Sequence, residues 1–244
     1  MPYALLLVFV FALAVSQVGS ARLSIPNNMT STDRQTALEA LGYGSGTKLL
    51  GDPYPLGGYS GVELGITSEI IPTSDISRLG SKATQQTETS YSVLTLGKGL
   101  YNNVDGFIQF GLSGTAENIS NYGGQLRWGF YQAEYVPAFL SLVLSGSTTN
   151  FQNLIITNNQ ALDLVTGINV DDVTLYLGTG QMRVQGTFVG GASGITDTSE
   201  TLRESISGNH FLAGVNLKFS KVFLAMQIDR YTQANYSAKL GFRF

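Results

Sequence analysis

The chain has 244 residues, enough for one sizeable domain, and a net charge of −3 that offers nucleic acid no basic field. Only 13% of residues are charged, about half the usual share, while 11% are aromatic and 29 are glycine, which excludes a highly charged disordered chain. Cysteine is absent, which excludes a disulfide framework, a thiolate metal site and a lipidated cysteine anchor, and suits a compartment where stray thiols are oxidised.

Residues 4–15 form an unbroken apolar run, too short to span a bilayer comfortably as a helix. Small residues follow at Gly19, Ser20 and Ala21. Residues 1–21 therefore read as a signal peptide cleaved near Ala21, although Met1-Pro2-Tyr3 carries no Lys or Arg. An N-terminal anchor helix is the alternative. No later stretch approaches the ~20 apolar residues of a membrane helix.

Residues 22–58 read as a separate N-terminal segment with one short helix. Thr32 and Gln35 fit a capping box, Ala37, Leu38, Ala40 and Leu41 make an apolar stripe, and Gly42 sits where a C-cap glycine belongs. Residues 42–48 have some likeness to a phosphate loop, but they lack Gly-Lys-Ser/Thr and follow a helix instead of opening one. A flexible helix exit is the expected role. Pro53 and Pro55 impose an extended lead-in.

From Tyr59 onward the apolar period becomes two. Val62, Leu64 and Ile66 alternate with Glu63, Gly65 and Thr67, and Val222, Leu224, Met226 and Ile228 alternate with Phe223, Ala225, Gln227 and Asp229. Such alternation gives each strand one apolar and one polar face. About ten strands are predicted, near 59–71, 89–99, 103–115, 122–134, 137–149, 157–169, 172–190, 208–219, 221–232 and 235–244, with eight or twelve as the neighbouring even counts. Their length, about 10–13 residues, exceeds the usual ~5–6 and suits a tilted membrane strand. Long polar connections near 72–88, 116–121, 150–156 and 191–207 alternate with tight turns, as outer-membrane barrels arrange them. The predicted fold is all-β: an antiparallel up-and-down transmembrane barrel over 59–244. A secreted β-sandwich is the alternative, but its outer face would be more richly charged.

The last ten residues resemble the C-terminal signature of bacterial outer-membrane barrels: a terminal Phe244 with Phe242, Leu240, Ala238 and Tyr236 at every second position before it. The resemblance implies export to the outer membrane, recognition of the last strand by the barrel-assembly machinery, and contact with outer-membrane lipid and lipopolysaccharide. The size is similar to that of small OmpA-like, OmpW-like and OmpT-like barrels. It also implies long loops outside and both termini in the periplasm, with the helix at 32–41 as a candidate plug of the periplasmic mouth. Tyr101, Tyr135, Phe219, Phe242 and Phe244 fall at that predicted rim, where aromatic rings anchor barrels.

Chemistry is sparse. Hydrolysis would need a nucleophile or water held by a base. The single histidine, His210, lies near Glu204, Ser205 and Ser207, but sequence neighbours do not make a triad. Asp171-Asp172 suits a turn and is not a calcium loop. No catalysis, metal or cofactor is expected. Inward parity collects Glu63, Glu69, Arg127, Asp163, Lys218, Asp229, Lys239 and Arg243. With Gln109, Gln125, Asn169, Asn216 and Gln227 they are expected to line the lumen, pair across it and brace the barrel. A structural or surface-interaction role, or a narrow solute channel, follows. Oligomeric state is left open.

Overall fold

The computed structural model describes residues 23–81, 87–101, 103–112 and 118–244. The expected signal peptide and parts of the loops expected at 72–88 and 116–121 lie outside them. Ten antiparallel strands pair each with its sequence neighbour, and the first with the last, into one closed barrel. They are β1 (Val62–Pro72), β2 (Glu88–Tyr101), β3 (Val104–Gly111), β4 (Ile119–Gln132), β5 (Ala138–Phe151), β6 (Ile155–Val170), β7 (Val173–Phe188), β8 (Leu202–Phe219), β9 (Val222–Arg230) and β10 (Ala234–Arg243). The closing seam runs in continuous register from Glu63↔Arg243 to Ile70↔Tyr236.

The two rims differ. At one, Asn103, Asp171 and Ser220 take positive φ and turn the chain within a few residues. Asn and Asp adopt that conformation at little cost because their short polar side chains bond locally. Phe244 lies at this tight-turn rim. The opposite rim carries the connections 73–87 and 189–201. Two loop expectations are corrected there. Residues 150–156 hold only the turn 152–154, and β8 begins at Leu202 instead of 208.

The reason for the β8 correction is a change of phase within single strands. In β7 the outward residues near the tight-turn rim are Val173, Leu175 and Leu177; further along they are Gln181, Arg183 and Gln185, while Met182, Val184 and Phe188 point inward and are buried. β8 does the same, from outward Arg203, Ser205, Ser207 and Asn209 to outward Phe211, Ala213, Val215 and Leu217. In β6, outward Asn158 and Gln160 give way to Leu162, Leu164 and Ile168. The apolar side chains exchange faces while the strand runs on. A period-two pattern with one fixed phase therefore ends β8 too early.

Residues 23–60 do not stay outside the barrel. Helix α1 (Ser31–Ala37) continues as π-helical turns over Leu38–Gly42. Its capping box is Thr30 with Asp33, not Thr32 with Gln35: Thr30 Oγ1 accepts from Asp33 N at 3.3 Å, and Asp33 Oδ2 accepts from Thr30 N at 3.0 Å. The helix lies at the long-loop rim, where Arg34 meets Asp197 and Glu204, and not at the tight-turn rim where the plug was expected. From there the chain runs down the lumen, with residues 40–53 buried save for Thr47, which is half-buried. It emerges at the tight-turn rim, reverses through Gly57 and Gly58, whose φ of 95° and 72° only glycine adopts freely, and enters β1. Both ends were expected at one rim; instead Leu23, the first described residue, sits at the long-loop rim, where its carbonyl accepts from Gln152 Nε2.

Candidate functional site

The lumen is the candidate site, and it divides by height. At the tight-turn end, Asp52 of the threaded segment lies 2.5 Å from Lys218 Nζ and 3.3 Å from Arg243 Nη1. Glu63 on β1 meets Lys239 Nζ at 2.6 Å across the seam and Arg243 Nε at 3.5 Å. Arg127 stacks 3.8 Å over the Phe107 ring, donates from Nε to Gln125 at 2.6 Å, and donates from Nη2 to the Leu49 carbonyl. The segment's backbone is held as well: Leu56 N donates to Asp105 Oδ2 at 3.0 Å and Ser141 Oγ donates to the Pro53 carbonyl at 2.9 Å.

Midway, Gln227 Oε1 accepts from Leu50 N at 3.1 Å and from the Tyr176 hydroxyl at 3.0 Å, while its Nε2 donates to Asp229. Tyr91 donates to Glu69 at 2.9 Å, and Gln109 donates to Asn121 at 2.7 Å, which in turn donates to Thr149. Lys48 enters among the carboxylates of Glu69, Asp163 and Asp229 and donates to the Tyr43 carbonyl at 3.2 Å. His210 Nε2 lies 3.2 Å from Asp163 Oδ1. Its ring stacks on Tyr231 at 4.4 Å, and Tyr231 stacks on Tyr43 at 4.6 Å.

Near the long-loop rim the interior turns apolar. Leu38, Leu41 and Met29 pack with Ile71, Ile155, Val184 and Phe188 into a buried apolar core. Glycines allow the close approach: a Cβ on Gly42 would sit 2.5 Å from Val184 Cγ1, and one on Gly186 2.2 Å from Leu38 Cδ2. Gly42 is thus a packing residue, not a C-cap, and the glycines of 42–46 are not a flexible exit. Burial and the neighbouring Glu39 push the Tyr43 phenol up. Arg34 clamps the top, meeting Asp197 at 2.9 Å and Glu204 at 3.0 Å.

All the residues expected from parity face inward, but Lys218, Arg243 and Asn169 are only half-buried. Missed were Asp105, Asn121 and Asn159, which share the parity of Gln109, Gln125 and Asp163, and Lys48 and Asp52, which belong to no strand. The hydrolase candidates do not converge. Ser205 and Ser207 are exposed on the outer face of β8, His210 is buried on the inner face, and Glu204 is engaged by Arg34. No cluster of three or more His, Cys, Asp or Glu suited to a metal occurs among the described residues. Tyr236 and Phe242 are exposed outward on β10 with Leu240 half-buried between them, and Phe244 is exposed at its end.

The outer face completes the picture. Leu64, Ile66, Leu126, Leu144, Leu164 and Leu177 are exposed around the wall, with Tyr59, Tyr101, Trp128, Tyr131, Tyr135 and Phe244 ringing the tight-turn rim. A closed antiparallel barrel has no open edge and pairs its wall strand to strand, and with an apolar belt and an aromatic girdle it defines a transmembrane β-barrel. No helix among the described residues is long and apolar enough to cross a membrane.

No protein-family model and no curated protein matches the chain. Similar solved structures include the N-terminal β-barrel domain of Pseudomonas aeruginosa OprF, at 13% identity and TM-score 0.40 over 78% of this chain and 99% of that one. Ail, the attachment invasion locus protein of Yersinia pestis, solved with the heparin analogue sucrose octasulfate, is 13% identical, with TM-score 0.33 over 75% and 97%. Neisserial surface protein A is 9% identical, with TM-score 0.30 over 79% and 96%. No role for any residue of this chain follows from these structures; the barrel rests on its own strand pairing.

Proposed function

We propose that this protein is an integral outer-membrane barrel held shut by its own N-terminal segment, with a structural or surface role and neither catalysis nor constitutive solute passage. The observation that carries the reading is the course of residues 34–56 down the lumen, bonded to the wall at both ends and midway. Among the described residues, a cavity of about 10 Å³ lies beside Lys48 and Glu69 and one of about 30 Å³ beside Asp52 and Lys218, room for about one water and about two. The tight turns at one rim and the connections 73–87 and 189–201 at the other support placing the long-loop rim outside, because outer-membrane barrels keep their short turns in the periplasm and their longer loops outside. The C-terminal strand, with Tyr236, Leu240, Phe242 and Phe244, suits the barrel-assembly machinery, and the belt suits outer-membrane lipid and lipopolysaccharide.

The test is electrical. The purified protein, first shown to be folded by heat-modifiable migration in a detergent gel, is added to planar bilayers. Silence under voltage is expected. A reproducible unitary conductance from the wild-type chain would overturn the closed-lumen reading, and recovery as a soluble protein without heat-modifiable migration would overturn the membrane reading.

A further inference from the structure

We infer that the N-terminal segment crosses the membrane inside the barrel and is displayed on the same face as the long loops. The inference rests on the proposed orientation but goes beyond it, since a plug can equally fill a lumen and return to the rim it came from. Here the route is one-way. Reading back from β1, residues 52–56 are pinned at the tight-turn rim by Lys218, Arg243 and Asp105. Residues 45–50 bond mid-wall, Ser45 to Asn159 and Leu50 to Gln227. Residues 29–34 are fastened to the connection 189–201 and the start of β8: Met29 N donates to the Ile195 carbonyl at 2.8 Å, and Arg34 pairs with Asp197 and Glu204. Asn28 reaches Ser81 on the first long connection at 3.2 Å.

The segment therefore adds one more crossing to those of the ten strands, and its apolar residues, Leu38 and Leu41 among them, pack inside the barrel and present no face to lipid. Its charges are met by the wall: Lys48 enters among acidic groups, and Asp52 enters between cations. Such a chain cannot lie in lipid, where its backbone amides would go unpaired. It can cross only through a polar lumen. Residues 28, 30–32 and 35 are then left exposed at the outer surface.

The absence of cysteine makes the test clean. Three single-cysteine variants of the full chain are compared in intact Gram-negative cells: Gln35→Cys on the segment, Thr198→Cys on the long-loop rim and Glu134→Cys at the tight-turn rim. All three positions are exposed. The reagent is a polyethylene-glycol maleimide too bulky to cross the outer membrane, and heat-modifiable migration confirms that each variant has folded. Gln35→Cys is expected to react in intact cells to the same extent as Thr198→Cys, and Glu134→Cys only after permeabilisation. Protection of Gln35→Cys in cells where Thr198→Cys reacts overturns the inference and leaves the barrel's orientation standing. Reaction of Glu134→Cys with protection of Thr198→Cys overturns the orientation itself, and the inference with it.

Discussion

The lower and upper halves of the barrel are built inside out relative to one another. Toward the tight-turn rim the outer face is Leu, Ile, Val and aromatic, and the inner face carries Glu63, Arg127, Lys239 and Asp229. Toward the long-loop rim, β6–β8 turn Asn158, Gln181, Arg183 and Ser205 outward and close over Met182, Val184 and Phe188. Each half follows its solvent. Lipid demands an apolar exterior and leaves polar groups to the lumen, whereas water lets an apolar core form in the ordinary way. The N-terminal segment matches both, with charges below and Leu38, Leu41 and Tyr43 above.

The largest expected effect lies in the lower half. Glu63 is buried and faces three cations, Lys239, Arg243 and Arg127. Glu63→Gln leaves them without their shared counter-charge. Breaking a buried pair costs roughly 3–5 kcal/mol, so urea unfolding in lipid, followed by the emission of the single Trp128, should shift by that amount. A shift below about 1 kcal/mol, the ceiling for exposed pairs, would mean that the lower lumen is wet and the contrast between halves is weaker than drawn. In the upper half, Leu38 is fully buried against Gly186. Leu38→Ala should cost about 2–5 kcal/mol, as in any dry core. It should also loosen the plug, seen as intermittent current in bilayers where the wild type is silent. Unchanged stability would show that the core above the membrane is not packed.

Most of the wall was legible in the sequence because a half-lipid, half-lumen strand has no freedom of phase. The seam strand at 234–243, the turns at Asp171 and Ser220 and the inward set from Glu63 to Arg243 all follow from alternation. Where the solvent on the outer face changes, so does the phase. Leu202 to Ser207 then read as a loop, because Ile206 and Phe211 lie on opposite faces of one strand. The route of residues 23–58 has no periodic signal. It is fixed by single contacts, Asp52 to Lys218 or Gly42 to Val184, between positions far apart in the chain. Gly42 looked like a C-cap because a glycine at a helix end has that use most often. Its actual use, a close approach to the wall, depends on a partner 142 residues away that no local pattern announces.

The contrast between halves also sets where the membrane ends, and two outward substitutions locate that boundary. Leu164 lies in the belt and is exposed toward lipid. Leu164→Arg is expected to destabilise the folded barrel by about 2–4 kcal/mol if that position is near the bilayer midplane, and by less toward the interface. Arg183 lies on the outer face of the neighbouring strand, beyond the belt. Arg183→Leu is expected to change stability by no more than about 0.5 kcal/mol, the usual range for a surface position. Both are read from the same urea titration in lipid vesicles. If Arg183→Leu instead stabilised the barrel by as much as Leu164→Arg destabilised it, the bilayer would reach Arg183, and the polar collar would lie inside it. The smallest number in the series thus decides whether the change of phase in β7 marks the membrane surface.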